Sequence, residues 1–489
     1  MNKLYKIHDE DNVAIALEPL KKGYAEQGVT LLDDIPFGHK VLLYDMKAGE
    51  NIVKYSNPIG HLVCDTKAGS HIHEHNLKTN LGDRFEYSFS SGMAYHPSES
   101  GLTFNGYVRG NGEAGVRNEI WIIPTVGCVN NTVRLLEQIG QKKFTDGIDG
   151  VFGYTHLYGC SQMGDDQENT RKMIASLVNH PNAGGVLVVS LGCENTNVDV
   201  IKSYLGEIDE NRVKFLVTQD CADELAEGEK LLSQLYAYVR KAKRVPVPIS
   251  KLTVGFKCGG SDAFSGITAN ALCGRITDKL TDAGASVILT EVPEMFGAEH
   301  LLMKRAENKD IFDKIVGMIN GYKTYFAEHN QVCYENPSPG NHDGGITTLE
   351  EKSLGCIQKG GSSVVTGVLG YGEKCAHSGL HLLTGPGNDI VSVTNLTASG
   401  ALIILFTTGR GTPLGAPSPT VKISSNTGLA KRKSGWIDFN AGELINGADA
   451  DALADELLDF ILSIASGKKT KNEINGYREI SIFKDGVIM

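Results

Sequence analysis

The chain has 489 residues, 41% of them hydrophobic and 21% charged, with a formal net charge of −11. At about 100–200 residues per domain, this is enough for several globular units. The acidic balance argues against a nucleic-acid or anionic-membrane partner, and no stretch reaches the ~20 apolar residues of a membrane span.

The N-terminus, Met1-Asn-Lys-Leu-Tyr-Lys-Ile-His-Asp9, lacks the apolar core and small-residue cleavage site of a signal peptide, so a cytoplasmic location is expected. Residues 1–85 read as a small β-rich unit, with strands at Asn12–Leu17, His39–Tyr44 and Ile52–Tyr55 separated by turn signals. Residues 86–104, rich in Ser and Gly, read as a linker. From there the pattern alternates between strands and helices. Ile120–Thr125, Val186–Ser190 and Val213–Thr218 are compact apolar runs, and Val151–Thr155 is a weaker one. Met173, Ile174, Leu177 and Val178 form the apolar face of one helix, and Leu232, Leu235, Tyr236 and Val239 that of another. Lys241–Ile249, with Pro246 and Pro248, marks a second boundary. Further strands follow at Leu252–Phe256, Ser286–Thr290, Ser363–Val368 and Ala401–Phe406, with a late amphipathic helix through Leu453, Leu457, Phe460, Ile461 and Ile464. Alternation of this kind predicts parallel α/β sheets covered on both faces, in a middle unit (105–245) and a C-terminal unit (250–489).

Ten cysteines are scattered without a Cys-x-x-Cys pair and read as reduced thiols. Three of them share one form: Gly127-Cys-Val-Asn130, Gly159-Cys-Ser-Gln162 and Gly192-Cys-Glu-Asn195. Lys257-Cys-Gly-Gly-Ser-Asp262 is a related fourth site. All four are expected at carboxyl ends of strands, where open α/β sheets bind ligands. There a glycine lets a ligand approach the backbone, and a helix N-terminus offers free N–H donors.

The remaining polar motifs point to metal or proton chemistry. In Gly69-Ser-His-Ile-His-Glu-His-Asn76, an extended backbone would place His71, His73 and His75 on one face, as ion ligands or proton carriers. Glu291 and Glu294 follow one strand and Asp262 another, offering hard oxygen ligands. Asn336-Pro-Ser-Pro-Gly-Asn-His-Asp-Gly-Gly345 reads as a lid or a surface crossing. Arg410, between glycines after an apolar strand, is a carboxylate clamp candidate, as are Arg117 and Asn118 before another strand. Neither a Walker A sequence nor a G-x-G-x-x-G fingerprint is present, so neither ATP nor NAD is expected.

These motifs together resemble the altronate/galactarate dehydratase family. The resemblance is carried by the His-rich segment, Gly115-Val-Arg-Asn-Glu119, Pro124-Thr-Val-Gly-Cys-Val-Asn130, Tyr158-Gly-Cys-Ser-Gln162, Leu191-Gly-Cys-Glu-Asn195 and Cys258-Gly-Gly-Ser-Asp262. It continues through Leu289-Thr-Glu-Val-Pro-Glu-Met295, Asn336-Pro-Ser-Pro-Gly-Asn341, Gly387-Asn-Asp389, Thr408-Gly-Arg-Gly-Thr-Pro413 and Trp436-Ile-Asp-Phe-Asn440. Ala271 departs from the proline expected after Thr-Ala-Asn270.

The resemblance implies a β-clip (SAF-like) N-terminal domain, a middle domain used in dimerisation, and a Rossmann-like C-terminal domain. It also implies dehydration of D-altronate to 2-dehydro-3-deoxy-D-gluconate with Fe2+ (Mn2+ or another divalent ion as alternatives), galactarate being the near alternative substrate. Such a reaction needs a base at C2, an acid at the C3 hydroxyl and a stabiliser for charge on the carboxylate. On this reading His71 and His73 supply ligation or proton transfer. Glu194, Asp262, Glu291 and Glu294 include metal ligands or the second proton carrier. Arg117, Asn118, Lys257, Ser261 and Arg410 hold the sugar acid. A non-catalytic sugar- or metal-binding protein, an iron–sulfur hydro-lyase and a nicotinamide dehydrogenase are the competing classes.

Overall fold

The computed structural model describes residues 2–82, 86–333 and 336–488; the expected end of the small unit at 85 lies outside them. The small unit is built of short antiparallel strands. Leu4–Tyr5, Val13–Ala16, Lys40–Leu42 and His71–Ile72 form one sheet, and Asn51–Lys54, Asn57–Leu62 and Leu77–Lys78 another. A buried core of this unit (Ile52, Ile59, Leu77) runs on into Phe296 and Leu354 of the C-terminal unit, so the two share one apolar interior.

Residues 86–102 carry no regular structure, yet they do not hang free as a linker does. Tyr87 donates to Glu299, Phe89 packs edge-on against Phe312, and Tyr95 donates to the Thr281 carbonyl. Apolar rings every few residues fasten this strap to the C-terminal unit. Its expected end at 104 also moves, because Thr103–Val108 is a strand paired with Val245–Pro248. The two expected boundaries therefore meet each other. Two prolines are tolerated there because Val245–Pro248 is an edge strand.

The middle unit holds a parallel sheet of β1 (Glu119–Pro124), β2 (Gly150–Gly153), β3 (Ala183–Ser190) and β4 (Val213–Val217), ordered β2-β1-β3-β4. The helices Gly164–Val178 and Glu224–Val239 cover it with the apolar faces expected from their periodicity.

The C-terminal unit is a seven-stranded parallel sheet. Its strands are β5 (Thr253–Cys258), β6 (Ser286–Leu289), β7 (Val365–Leu369), β8 (Gly379–Leu383), β9 (Ile403–Thr408), β10 (Thr420–Ser424) and β11 (Phe439–Asn440). The order is β7-β8-β6-β5-β9-β10-β11, so the chain reverses direction across the sheet between β5 and β9. Crevices at such reversals, outside the strand carboxyl ends, are where α/β sheets place ligands. β8, β10 and β11 went unread in the sequence. His381 and Lys422 interrupt the apolar runs of the first two, although both strands are fully buried. No helix among the described residues is long and apolar enough to cross a membrane.

Candidate functional site

β5 ends on Cys258, and the backbone after β6 turns sharply. Glu291 sits in the left-handed region (φ 74°, ψ 61°), a conformation costing about 1–3 kcal/mol for a non-glycine residue. The Val292–Glu294 turn follows at once, so both glutamates fold back toward Cys258. The third wall is the helix Leu349–Cys356, all eight residues of which are buried.

Three ligand-type side chains meet here. Cys258 Sγ lies 3.1 Å from Glu294 Oε2 and 3.3 Å from Cys356 Sγ, and Cys356 Sγ lies 2.9 Å from the same carboxylate oxygen. All three residues are buried and both thiols are free. Three ammonium groups surround them. Lys352 contacts Glu294 at 2.8 Å, Lys257 pairs with Glu291 and with Asp389 (2.9 Å), and Lys359 lies 3.7 Å from Glu291. The shared Cys356 thiol proton, with Lys359 and Lys257 beyond it, pulls the Cys258 thiol down to about 6 against the opposing effect of burial. Burial alone would raise Glu294; the lysines, Lys352 foremost, hold it well below the usual carboxylate range. Burial would likewise lower Lys352, but Glu294 and the two cysteines push it up to about 12, so it stays an ammonium at neutral pH.

The cluster opens on a cavity of about 350 Å³, lined among others by Ser261, Asn336, Ser338, Asn341 and Asp389. The volume suits a small polar ligand. Two sulfurs and a carboxylate suit a ferrous or similar divalent ion better than Mg2+ or Ca2+.

The proposed site residues divide. Glu294, Glu291, Lys257 and Ser261 gather at this cavity or in its wall. Asp262 is buried nearby but is saturated: Ser265 N–H, Ser265 Oγ, Ser425 Oγ and Asn426 Nδ2 all donate to its carboxylate. Its place is to pin the 260–265 loop. Arg117 is fully buried in a two-pronged pair with Glu473 (2.7 and 2.9 Å), joining the middle unit to the C-terminal tail. Asn118 bonds Arg109 and the Val239 carbonyl. Glu194 accepts from Thr125, Ser190 and two backbone N–H groups, all in the middle unit. Arg410 lies half-exposed outside the 338–343 turn, bonding the Gly340 carbonyl at 3.1 Å. None of these five is brought to the thiol pair. Cys128, Cys160 and Cys193 follow strands of the middle sheet, so the repeated Gly-Cys form serves two different sheets.

His71 and His73 do not share one extended face. The strand stops at Ile72, and Asn76 N–H closes a turn onto the His73 carbonyl at 3.0 Å. A cluster forms nonetheless, completed by His39, whose Nδ1 lies 2.9 Å from His71 Nε2. Burial, then the neighbouring imidazoles, lowers His39 to about 4 and His71 to about 3. Below pH 6.5 the unfolded chain binds protons that the folded one refuses, so stability falls as pH drops from 6.5 toward 4 and is fully present above that window. Melting temperature against pH should show this slope, and His39→Gln should flatten it. An unaltered slope would move the effect to the buried His156 and His180, which are lowered likewise.

Docking of the small unit rests on a second buried charge group. Lys40 Nζ donates to Glu351 (2.8 Å), Thr347 Oγ1 and the Gly345 carbonyl, while Lys54 Nζ donates to the other Glu351 oxygen at 2.7 Å. Glu351 precedes Lys352 on the buried helix, so adjacent residues hold the small unit and line the cavity. Sequence reasoning missed Cys356, Lys352, Lys359 and this group. One signal was there: Gly355-Cys-Ile-Gln358 repeats the Gly-Cys-x-amide form, but on a helix rather than after a strand.

Comparison with known proteins follows the same three units. Residues 2–80 match the altronate/galactarate dehydratase SAF domain, 106–240 the D-galactarate dehydratase/altronate hydrolase second domain, and 249–488 the D-galactarate/altronate dehydratase C-terminal domain. The chain is 49% identical to altronate dehydratase of Escherichia coli (strain K12), over 99% of both chains. It is 49% identical to altronate dehydratase of Bacillus subtilis (strain 168), over 100% of both. Identity to the L-threo-forming galactarate dehydratase of Escherichia coli is 34%, over 95% of this chain and 93% of that one. With all three units matched in order and full-length relatives at this identity, the chain belongs to the altronate/galactarate dehydratase family.

Proposed function

We propose that this chain is a hydro-lyase that dehydrates D-altronate to 2-dehydro-3-deoxy-D-gluconate. The observation that carries the reading is the buried Cys258–Glu294–Cys356 trio opening on a polar cavity at the point where the parallel sheet reverses. Full-length identity to two proteins named altronate dehydratase, well above that to a galactarate dehydratase, favours altronate as substrate.

Cys258, Glu294 and Cys356 would hold a ferrous or similar divalent ion, which when bound supplies a Lewis acid for the substrate carboxylate and C2 hydroxyl. Lys352 keeps its proton, so its part is electrostatic: it opposes the negative charge that enolisation places on the carboxylate. Asp389 lines the cavity beside Lys257, 2.9 Å away, and on this reading its carboxylate takes the C2 proton. Asn336 and Asn341 both accept from Lys352 and orient that ammonium. Loss of the C3 hydroxyl leaves an enol that tautomerises to the 2-keto acid without a redox cofactor. The same reading includes a homodimer joined through the middle units and a cytoplasmic location.

The test is anaerobic turnover by metal-stripped protein with Fe2+ restored, offering altronate and galactarate separately. Keto-deoxy acid from altronate alone, dependent on the ion, is the expected result. Product from galactarate alone would overturn the substrate assignment, and no product from either would overturn the reaction.

A further inference from the structure

The seam between the small unit and the C-terminal unit carries a second group of ligand-type side chains. His73 and Glu74 come from the small unit and His342 from the 336–345 loop. One donor atom from each lies within 4.8 Å of the others.

The ring tautomers follow from the partners. His73 Nε2 lies 3.0 Å from the His342 carbonyl, and His342 Nδ1 lies 3.0 Å from the Ile346 carbonyl. A carbonyl oxygen only accepts, so both of those nitrogens carry the proton. The remaining nitrogens, His73 Nδ1 and His342 Nε2, present lone pairs, and both face one carboxylate. They lie 3.7 Å and 3.5 Å from the two oxygens of Glu74. At His342 Nε2, 3.5 Å from the Glu74 carboxylate, lone pair faces lone pair, a contact that a cation between them would relieve. A ring nitrogen bound to a carbonyl while the other faces a shared centre is the outer-shell arrangement of metal-ligating histidine. The Glu74 N–H also reaches His73 Nδ1 at 2.7 Å, so ligation would replace one neutral hydrogen bond with a metal–nitrogen bond.

We propose that His73, Glu74 and His342 bind a divalent transition-metal ion, separate from the thiol site and independent of the function assigned to it. Two imidazoles and a carboxylate favour Zn2+, Fe2+ or Co2+ over Mg2+ or Ca2+. Glu74 is more than half exposed, leaving room for water to complete the shell. His342 is the residue after Asn341, which lines the cavity. An ion here would therefore clamp the small unit to the loop that forms one wall of the substrate cavity.

Cobalt distinguishes the two sites, because thiolate ligands add a near-ultraviolet charge-transfer band that nitrogen and oxygen ligands do not. Metal-stripped full-length protein titrated anaerobically with Co2+ should take up two ions per chain. Glu74→Gln, which alters a half-exposed side chain, and His342→Ala should each abolish uptake of one ion and leave the charge-transfer band intact. Cys258→Ser should do the reverse. Uptake unchanged in both Glu74→Gln and His342→Ala would overturn the proposal and assign the intervening cation to a shared proton. Glu74-dependent uptake without any charge-transfer band in the parent protein would sustain the seam site while removing the thiol site.

Discussion

Replacing Glu351 with glutamine should cost about 3–5 kcal/mol of stability at neutral pH, the usual penalty for stranding a buried charge. Two ammonium groups depend on this one carboxylate, and all three side chains are almost fully buried. The glutamine amide keeps the shape and can still accept a hydrogen bond, but it offers no negative charge. Lys40 is already lowered to about 8, chiefly by burial, and without Glu351 it falls further. The folded state then sheds protons that the unfolded state retains up to its pKa of 10.5, so stability rises with pH through that interval. The deficit should accordingly be larger at pH 7 than at pH 9. Denaturant unfolding of parent and variant at both values measures it. The triple variant Lys40→Met, Lys54→Met, Glu351→Leu should recover most of the loss, since apolar side chains need no counter-charge. A Glu351→Gln protein as stable as the parent would show that the group does not hold the small unit.

The second large effect concerns turnover. Cys258→Ser and Glu294→Gln each remove a donor from the proposed ion site, and a loss of several kcal/mol of transition-state stabilisation corresponds to about a thousandfold drop in kcat. Cys258→Ser also withdraws a sulfur partner from Cys356 and Glu294, so its folding should be checked by the same unfolding curve. The control is Cys193→Ser. That thiol has the same Gly-Cys setting but stands after β3 of the middle sheet, with Gln219 as its neighbour. It should leave kcat within a fewfold of the parent. Equal losses in Cys193→Ser and Cys258→Ser would move the chemistry to the middle unit. Glu194→Gln there would then become the informative variant.

The Gly-Cys repeat illustrates both the reach and the limit of sequence reading. The form correctly picked strand ends, because a glycine in a tight turn after a buried strand leaves a local trace. At Gly159 a side chain would strike the Thr125 carbonyl, so only glycine fits. The sheet to which a strand end belongs leaves no such trace. Cys128, Cys160 and Cys193 went to one sheet and Cys258 to another. Cys258 found its partner 98 residues away, on a helix that strand-based reasoning passed over. Arg117 shows the converse. A conspicuous cation before a strand reads as a ligand clamp, yet a long-range carboxylate, Glu473, had already taken it.

By itself the sequence determined the class of the fold and those strands and helices with strong hydrophobic periodicity, because such periodicity is local and burial follows it. It also determined the family, through short motifs spread over the whole chain. Only the tertiary structure decided which polar groups meet: Cys258 with Glu294 and Cys356, Lys40 and Lys54 with Glu351, His73 with His342. Each such pair joins residues distant in sequence. The attraction between them acts only once packing has excluded water, so no local pattern announces it.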